Sequence, residues 1–130
     1  MDTSRIASFP ILADLPAAEL DQLAAAMSEV EVEPGANVIT VDDYGTAIYF
    51  IEQGEAEVLP DGQETTETLG PGDTFGEIAL LLTGERSATV VARTPMQLLS
   101  LSGQDFQRIR GGVPELENSL RRLGTERAGR

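Results

Sequence analysis

The chain has 130 residues, 41% of them hydrophobic and 5% aromatic, enough apolar material to close one ordinary core without disulfides or metal ions and too much for a disordered segment. Its formal net charge of −13, with no lysine among the basic residues, argues against direct nucleic-acid binding; the lack of histidine and cysteine removes the commonest metal ligands, the usual general base and any disulfide framework. No apolar run approaches the roughly 18 residues of a membrane span, and Asp2 and Arg5 do not make a signal-peptide start, so a single soluble, cytoplasmic domain over residues 1–130 is expected.

Along the chain, residues 11–29 place Leu20, Leu23 and Met27 on one face after Pro16, which predicts an amphipathic helix. From Val30 to about Leu101 short β-branched stretches alternate with turn signals at Pro34-Gly35, Asp42-Asp43-Tyr44-Gly45, Gln53-Gly54, Pro60-Asp61-Gly62 and Gly70-Pro71-Gly72-Asp73. That spacing is the pattern of a β-sandwich or barrel over residues 30–102. Strands are expected at Val38, Ile39 and Val41, at Ile48–Ile51, at Ala56, Val58 and Leu59, at Thr89–Ala92 and at Leu98–Leu101. One stretch breaks the pattern, because Glu77-Ile78-Ala79-Leu80-Leu81-Leu82 is rich in helix formers and directly follows Phe75-Gly76, predicting a short helix inside the β region. Helix returns over residues 103–123, first at Gln104–Arg110 and then from Pro114, with Leu116, Leu120 and Leu123 on one face; Gly124–Arg130 reads as a frayed tail.

The chemistry concentrates around that short helix. A glycine before a helix start leaves backbone N–H groups free to meet an anion, and Gly76 lets a ligand approach closely, although a glycine in that position is more often a plain turn. Between Arg5 and Arg86 there is no basic residue, so Arg86 reads as the cation available to the middle of the acidic domain, with a guanidinium fork suited to phosphate. Its plainer role is a surface pair with Glu85 or Glu77, worth less than about 1 kcal/mol. Glu77 could accept from a sugar hydroxyl, or simply favour a helix N-terminus by roughly 0.3 to 1 kcal/mol.

Phe75-Gly76-Glu77-Ile78-Ala79-Leu80, then Leu81 to Glu85, then Arg86-Ser87-Ala88-Thr89, resembles the phosphate-binding cassette of the cyclic nucleotide-binding domains found in bacterial catabolite activator proteins, cyclic-nucleotide-dependent kinases and some ion channels. Order, spacing and residue type agree, and the resemblance extends from about Ile11 to Ile109. It implies a mainly β fold with flanking helices: a β-roll, or double-stranded jelly roll, with an N-terminal helix, a short internal phosphate-binding helix and C-terminal helices. It also implies that the backbone from Gly76 through Glu77 and Ile78 to Ala79, together with Arg86, holds the cyclic phosphate. Glu77 would hold the ribose 2′-hydroxyl, Ser87 would add a hydroxyl near the phosphate, and Ala88 closes the motif. Two departures stand out: Glu85 where relatives often have proline, which adds a negative charge beside the anion site, and Asp43-Tyr44-Gly45 where a glycine followed by an acid is common. The resemblance implies that a threonine after the cassette arginine favours guanine and an alanine adenine, and Ser87 fits either; cyclic AMP is the expected ligand and cyclic GMP the competitor.

The resulting expectation is a regulatory sensor that performs no reaction, needs no cofactor or metal, and couples its ligand to the C-terminal helices, through which a protein partner or second copy could dock. The alternative is a β-roll that serves as an interaction or dimerisation module, with Arg86 held in an internal salt bridge. A cupin-like metal enzyme is disfavoured by the missing histidines. Only a short helical segment follows the β region within these residues, so no DNA-reading domain is expected among them, and both a stand-alone sensor and one domain of a larger protein are compatible with the sequence.

Overall fold

A computed structural model describes residues 1–39, 47–60, 67–76 and 88–128. Two helices, α1 (Thr3–Ala7) and α2 (Ala17–Ala26), precede strands β1 (Ser28–Val32), β2 (Asn37–Ile39), β3 (Ile48–Gln53), β4 (Ala56–Pro60), β5 (Glu67–Leu69), β6 (Thr74–Phe75), β7 (Ala88–Ala92) and β8 (Met96–Leu101). The chain then forms α3 (Gly103–Ile109), a 3-10 turn over Arg110–Gly112 and α4 (Pro114–Ala128). The strands make two four-stranded antiparallel sheets, ordered β1-β8-β3-β6 and β2-β7-β4-β5. This is the mainly β architecture with flanking helices that the sequence predicts.

The first sheet is the middle layer. Along β3 and β8, Tyr49, Ile51, Met96 and Leu98 belong to a cluster shared with the second sheet, through Ala56, Leu69, Val90 and Ala92. Ile48, Phe50, Leu99 and Leu101 point the other way, into a cluster with Ile6, Phe9, Leu12, Leu23, Phe106, Leu116 and Leu120 of the helical layer. Burial on both faces is why Ile48–Ile51 and Leu98–Leu101 read as nearly unbroken apolar runs rather than alternating ones. On the second sheet Thr68, Glu57 and Val91 are in register on the face turned away from the cluster shared with the first, and Thr68 is exposed there.

The element boundaries differ from the sequence reading in instructive ways. The first predicted helix is confined to Ala17–Ala26, because Met27 is already extended and the following Ser-Glu-Val-Glu-Val run alternates as β1, with Glu29 and Glu31 exposed and Val30 and Val32 half-buried. The helix α1 had no counterpart in that reading. It is started by Asp2, whose Oδ1 accepts from the Ser4 N–H at 2.9 Å, and its Ile6 and the following Phe9 are core residues, Phe9 meeting Phe50 edge-on at 5.5 Å. At the other end α4 continues to Ala128 through the predicted tail. Val41 and the turn signals at 42–45 and 61–62 lie outside the described residues.

Two turns between the sheets aim the chain at the cassette. At the β3–β4 turn, where the chain crosses from the first sheet to the second, Gly54 has φ +95°, and a Cβ there would sit 2.4 Å from the Pro95 carbonyl oxygen, so no other residue fits. At Gly70–Asp73 the chain passes from β5 in the second sheet to β6 in the first. Asp73 closes that turn: its N–H donates to the Gly70 carbonyl at 3.0 Å and its Oδ2 accepts from the Gly70 N–H at 2.8 Å.

Candidate functional site

The entrance to the cassette is built on β6. Phe75 is buried and stacks on Tyr49, its partner across the β3–β6 pair, with ring centroids 5.2 Å apart. That stack fixes the strand end. Gly76 follows at once with φ +97°, a left-handed conformation that turns the chain out of the strand and that a Cβ would disfavour. The exit is equally firm, because Ala88 opens β7, which is hydrogen-bonded on both sides, opposite Pro60 of β4 and, farther along, opposite β2. Of the predicted site residues, Gly76 and Ala88 therefore sit at strand ends on different sheets. Glu77, Ile78, Ala79, Arg86 and Ser87, and with them the predicted short helix, lie outside the described residues.

Beside the entrance, Thr74 is the second of two buried polar side chains in the described residues, 3% exposed, and its Oγ1 has no hydrogen-bond partner among them. It pairs across the strands with Phe50, on the face toward the helical layer.

Two arginines other than Arg86 serve the sheets, and both are engaged with glutamates. Arg5 reaches from α1 across the first sheet, where its guanidinium donates twice to Glu52, at 3.0 and 2.6 Å, and once to Glu29. These bonds hold the Glu29 carboxyl below its ordinary range and push Arg5 up. Arg93 donates to Glu57 on the second sheet. Folding brings distant cations to acids that are isolated in sequence.

The C-terminal helices are docked on the domain. Leu116 and Leu120 are fully buried beside Leu23, and Leu123 is half-buried. At the α3–α4 corner Arg110 lies over the Phe106 ring at 5.5 Å and grips Glu117 with two bonds, 2.5 and 2.8 Å, while Arg121 adds a third at 3.0 Å. The Arg110 and Arg121 bonds bring the Glu117 carboxyl down to about 2. A cavity of about 400 Å³ opens between Pro10, Ile11 and Leu15 on one side and Glu115, Ser119 and Leu123 of α4 on the other. Neither Gly76 nor Ala88 lines it. Among the described residues no group of three acidic side chains gathers as a metal site, and no helix is long and apolar enough to cross a membrane.

The family model for cyclic nucleotide-binding domains matches residues 29–111, a span that contains the whole segment from Phe75 to Thr89. The chain belongs to that family. A cyclic nucleotide-binding domain of this kind is a regulatory module, and no enzyme family is indicated. Among its relatives is the cAMP-dependent protein kinase regulatory subunit of Yarrowia lipolytica, 46% identical over 105 residues that cover 80% of this chain and 28% of that protein. Among solved structures, the regulatory domain of Toxoplasma gondii PKA with cAMP superposes with a TM-score of 0.81 at 26% identity, over 95% of this chain and 48% of that one. The regulatory subunit of a cAMP-independent protein kinase A from Trypanosoma brucei gives a TM-score of 0.82 at 31% identity, over 94% and 44%. The chain thus spans about a quarter of the length of the curated relatives it matches.

Proposed function

We propose that this domain binds a cyclic nucleotide, cyclic AMP in preference to cyclic GMP, as a cytoplasmic regulatory sensor. The phosphate is held by the backbone from Gly76 to Ala79 and by Arg86, the ribose by Glu77, with Ser87 beside the phosphate and Ala88 closing the motif. The observation that carries this reading is the cassette pattern from Phe75 to Thr89 inside the matched span, entered through a left-handed Gly76 at the end of a strand pinned by the Tyr49–Phe75 stack. Backbone N–H groups at a helix start and a guanidinium fork are complementary to a phosphate monoanion. The ligand acts by differential affinity for arrangements of the helices after Gly103, with a coupling of about 1 to 3 kcal/mol. Because Leu116 and Leu120 are occupied within the chain, a protein partner or second copy would reach that face after α4 is displaced.

Isothermal calorimetry with cyclic AMP and cyclic GMP tests the proposal. Cyclic AMP is expected to bind more tightly, and Arg86→Ala to lose on the order of 2 to 5 kcal/mol. No heat with either nucleotide at high micromolar concentration, from folded protein, would overturn it in favour of an interaction module.

A further inference from the structure

Helix α4 begins without a cap of its own. The residue before it, Val113, has no side-chain acceptor, and Pro114 has no N–H to satisfy. The Glu117 N–H bonds back to the Val113 carbonyl at 3.1 Å, which leaves the N–H groups of Glu115 and Leu116 as the unpaired donors of the first turn. Both are taken by a single side chain far away in sequence: Glu19 of α2 accepts from Leu116 at 2.9 Å through Oε1 and from Glu115 at 3.3 Å through Oε2. Glu19 is 4% exposed, on the same face of α2 as Leu23 and Ala26, and among the described residues no arginine pairs with it. The positive end of the α4 dipole is what offsets its charge there. One turn on, the Gln22 amide donates to the Gly112 carbonyl at 3.4 Å, so two side chains of α2 hold the corner from which α4 departs.

We propose that Glu19 is a latch that keeps α4 docked, and that the latch sets how far α4 responds to nucleotide in the cassette. The contact can exist only while α4 lies on α2. Displacing the helix leaves two N–H groups and a carboxylate without these partners, so the contact is specific to one of the two arrangements that a sensor must balance. Glu19 and α4 both fall outside the matched residues 29–111, so the latch is an addition to the cassette rather than part of it. The coupling half of the proposal rests on the nucleotide-binding reading above; the latch itself does not.

The test is amide hydrogen exchange by NMR on the whole chain, with and without cyclic AMP, for wild type, Glu19→Ala and Glu19→Gln. In Glu19→Ala the α4 amides from Glu115 onward are expected to exchange at least about tenfold faster, whereas those of β3 and β8, which open by global unfolding, speed up only as far as the unfolding midpoint falls. Glu19→Gln keeps one acceptor oxygen and is expected to fall between, which also covers the case in which the alanine variant does not fold. Unchanged α4 exchange in Glu19→Gln, with an unchanged unfolding midpoint, would overturn the latch. A change in cyclic AMP affinity of about fivefold or more, in either direction, supports the coupling, whereas faster α4 exchange at unaltered affinity overturns it. If wild type binds neither nucleotide, the function reading and the coupling fall together, and the exchange rates still decide the latch.

Discussion

The N-terminal helices are tied to the rest of the molecule at two places, and the two ties differ in kind. Arg5 of α1 makes three charge-assisted bonds to Glu52 and Glu29, but all three groups are reached by water. Glu19 of α2, at 4% exposure, makes two bonds to backbone N–H groups, that of Leu116 buried in the helical layer and that of Glu115 at its edge. The bond count favours Arg5. Physical chemistry favours Glu19, since exposed pairs exchange one set of hydrogen-bond partners for another in water, whereas buried donors that lose their acceptor have none to replace it.

Substitutions at the two ties break or sharpen that contrast. Glu19→Ala has the largest expected effect, a loss of about 2 to 3 kcal/mol, combining a missing cap with orphaned N–H groups; urea unfolding read as a midpoint shift at constant slope measures it. Next comes Thr74→Val, which probes the same rule with the opposite sign. Replacing a buried hydroxyl that lacks a partner by an isosteric methyl is expected to stabilise by about 1 kcal/mol, and a destabilised variant would mean that the hydroxyl has a role.

A smaller effect is confined to acid. Glu117 titrates at about 2 in the folded chain because Arg110 and Arg121 bond its ionised form, against 4.5 for the unperturbed group. Its folded value is the lower one, so its contribution is fully present above about 4.5 and is lost as pH falls toward about 2. Glu117→Gln should therefore be less stable than wild type at neutral pH, with the two unfolding curves converging as pH falls through that window. Smallest of all is Arg5→Ala. Its expected midpoint shift is the least of the four, and it shrinks further in high salt, where the Glu19→Ala shift persists. An Arg5 effect equal to that of Glu19 would show that burial is the wrong discriminator.

Much of the fold was legible in the residue pattern. Turn signals at regular spacing delimit most of the strands, and the unbroken apolar runs at Ile48–Ile51 and Leu98–Leu101 mark the sheet that is covered on both faces. The strands that escaped the reading, β1, β5 and β6, are short or alternate glutamate with valine, so their apolar content is low. Helix α1 escaped because a single turn of helix carries too few residues for a periodicity. The cassette was legible as an ordered string of residue types. The Tyr49–Phe75 stack behind it was not, because it joins side chains whose pairing depends on strand register.

The amino-acid sequence by itself determined the local and periodic properties of this protein: the longer apolar strands and the longer helices, where the chain turns, the acidic balance, and the order of residue types in the cassette, since backbone preference and residue spacing are set by near neighbours. Tertiary structure alone decided which acids Arg5 and Arg93 meet, which side chain is buried without a partner, and that a glutamate of α2 caps a helix beginning at Pro114. Those depend on distances between residues far apart in the chain, and such distances exist only once the sheets and helices have packed.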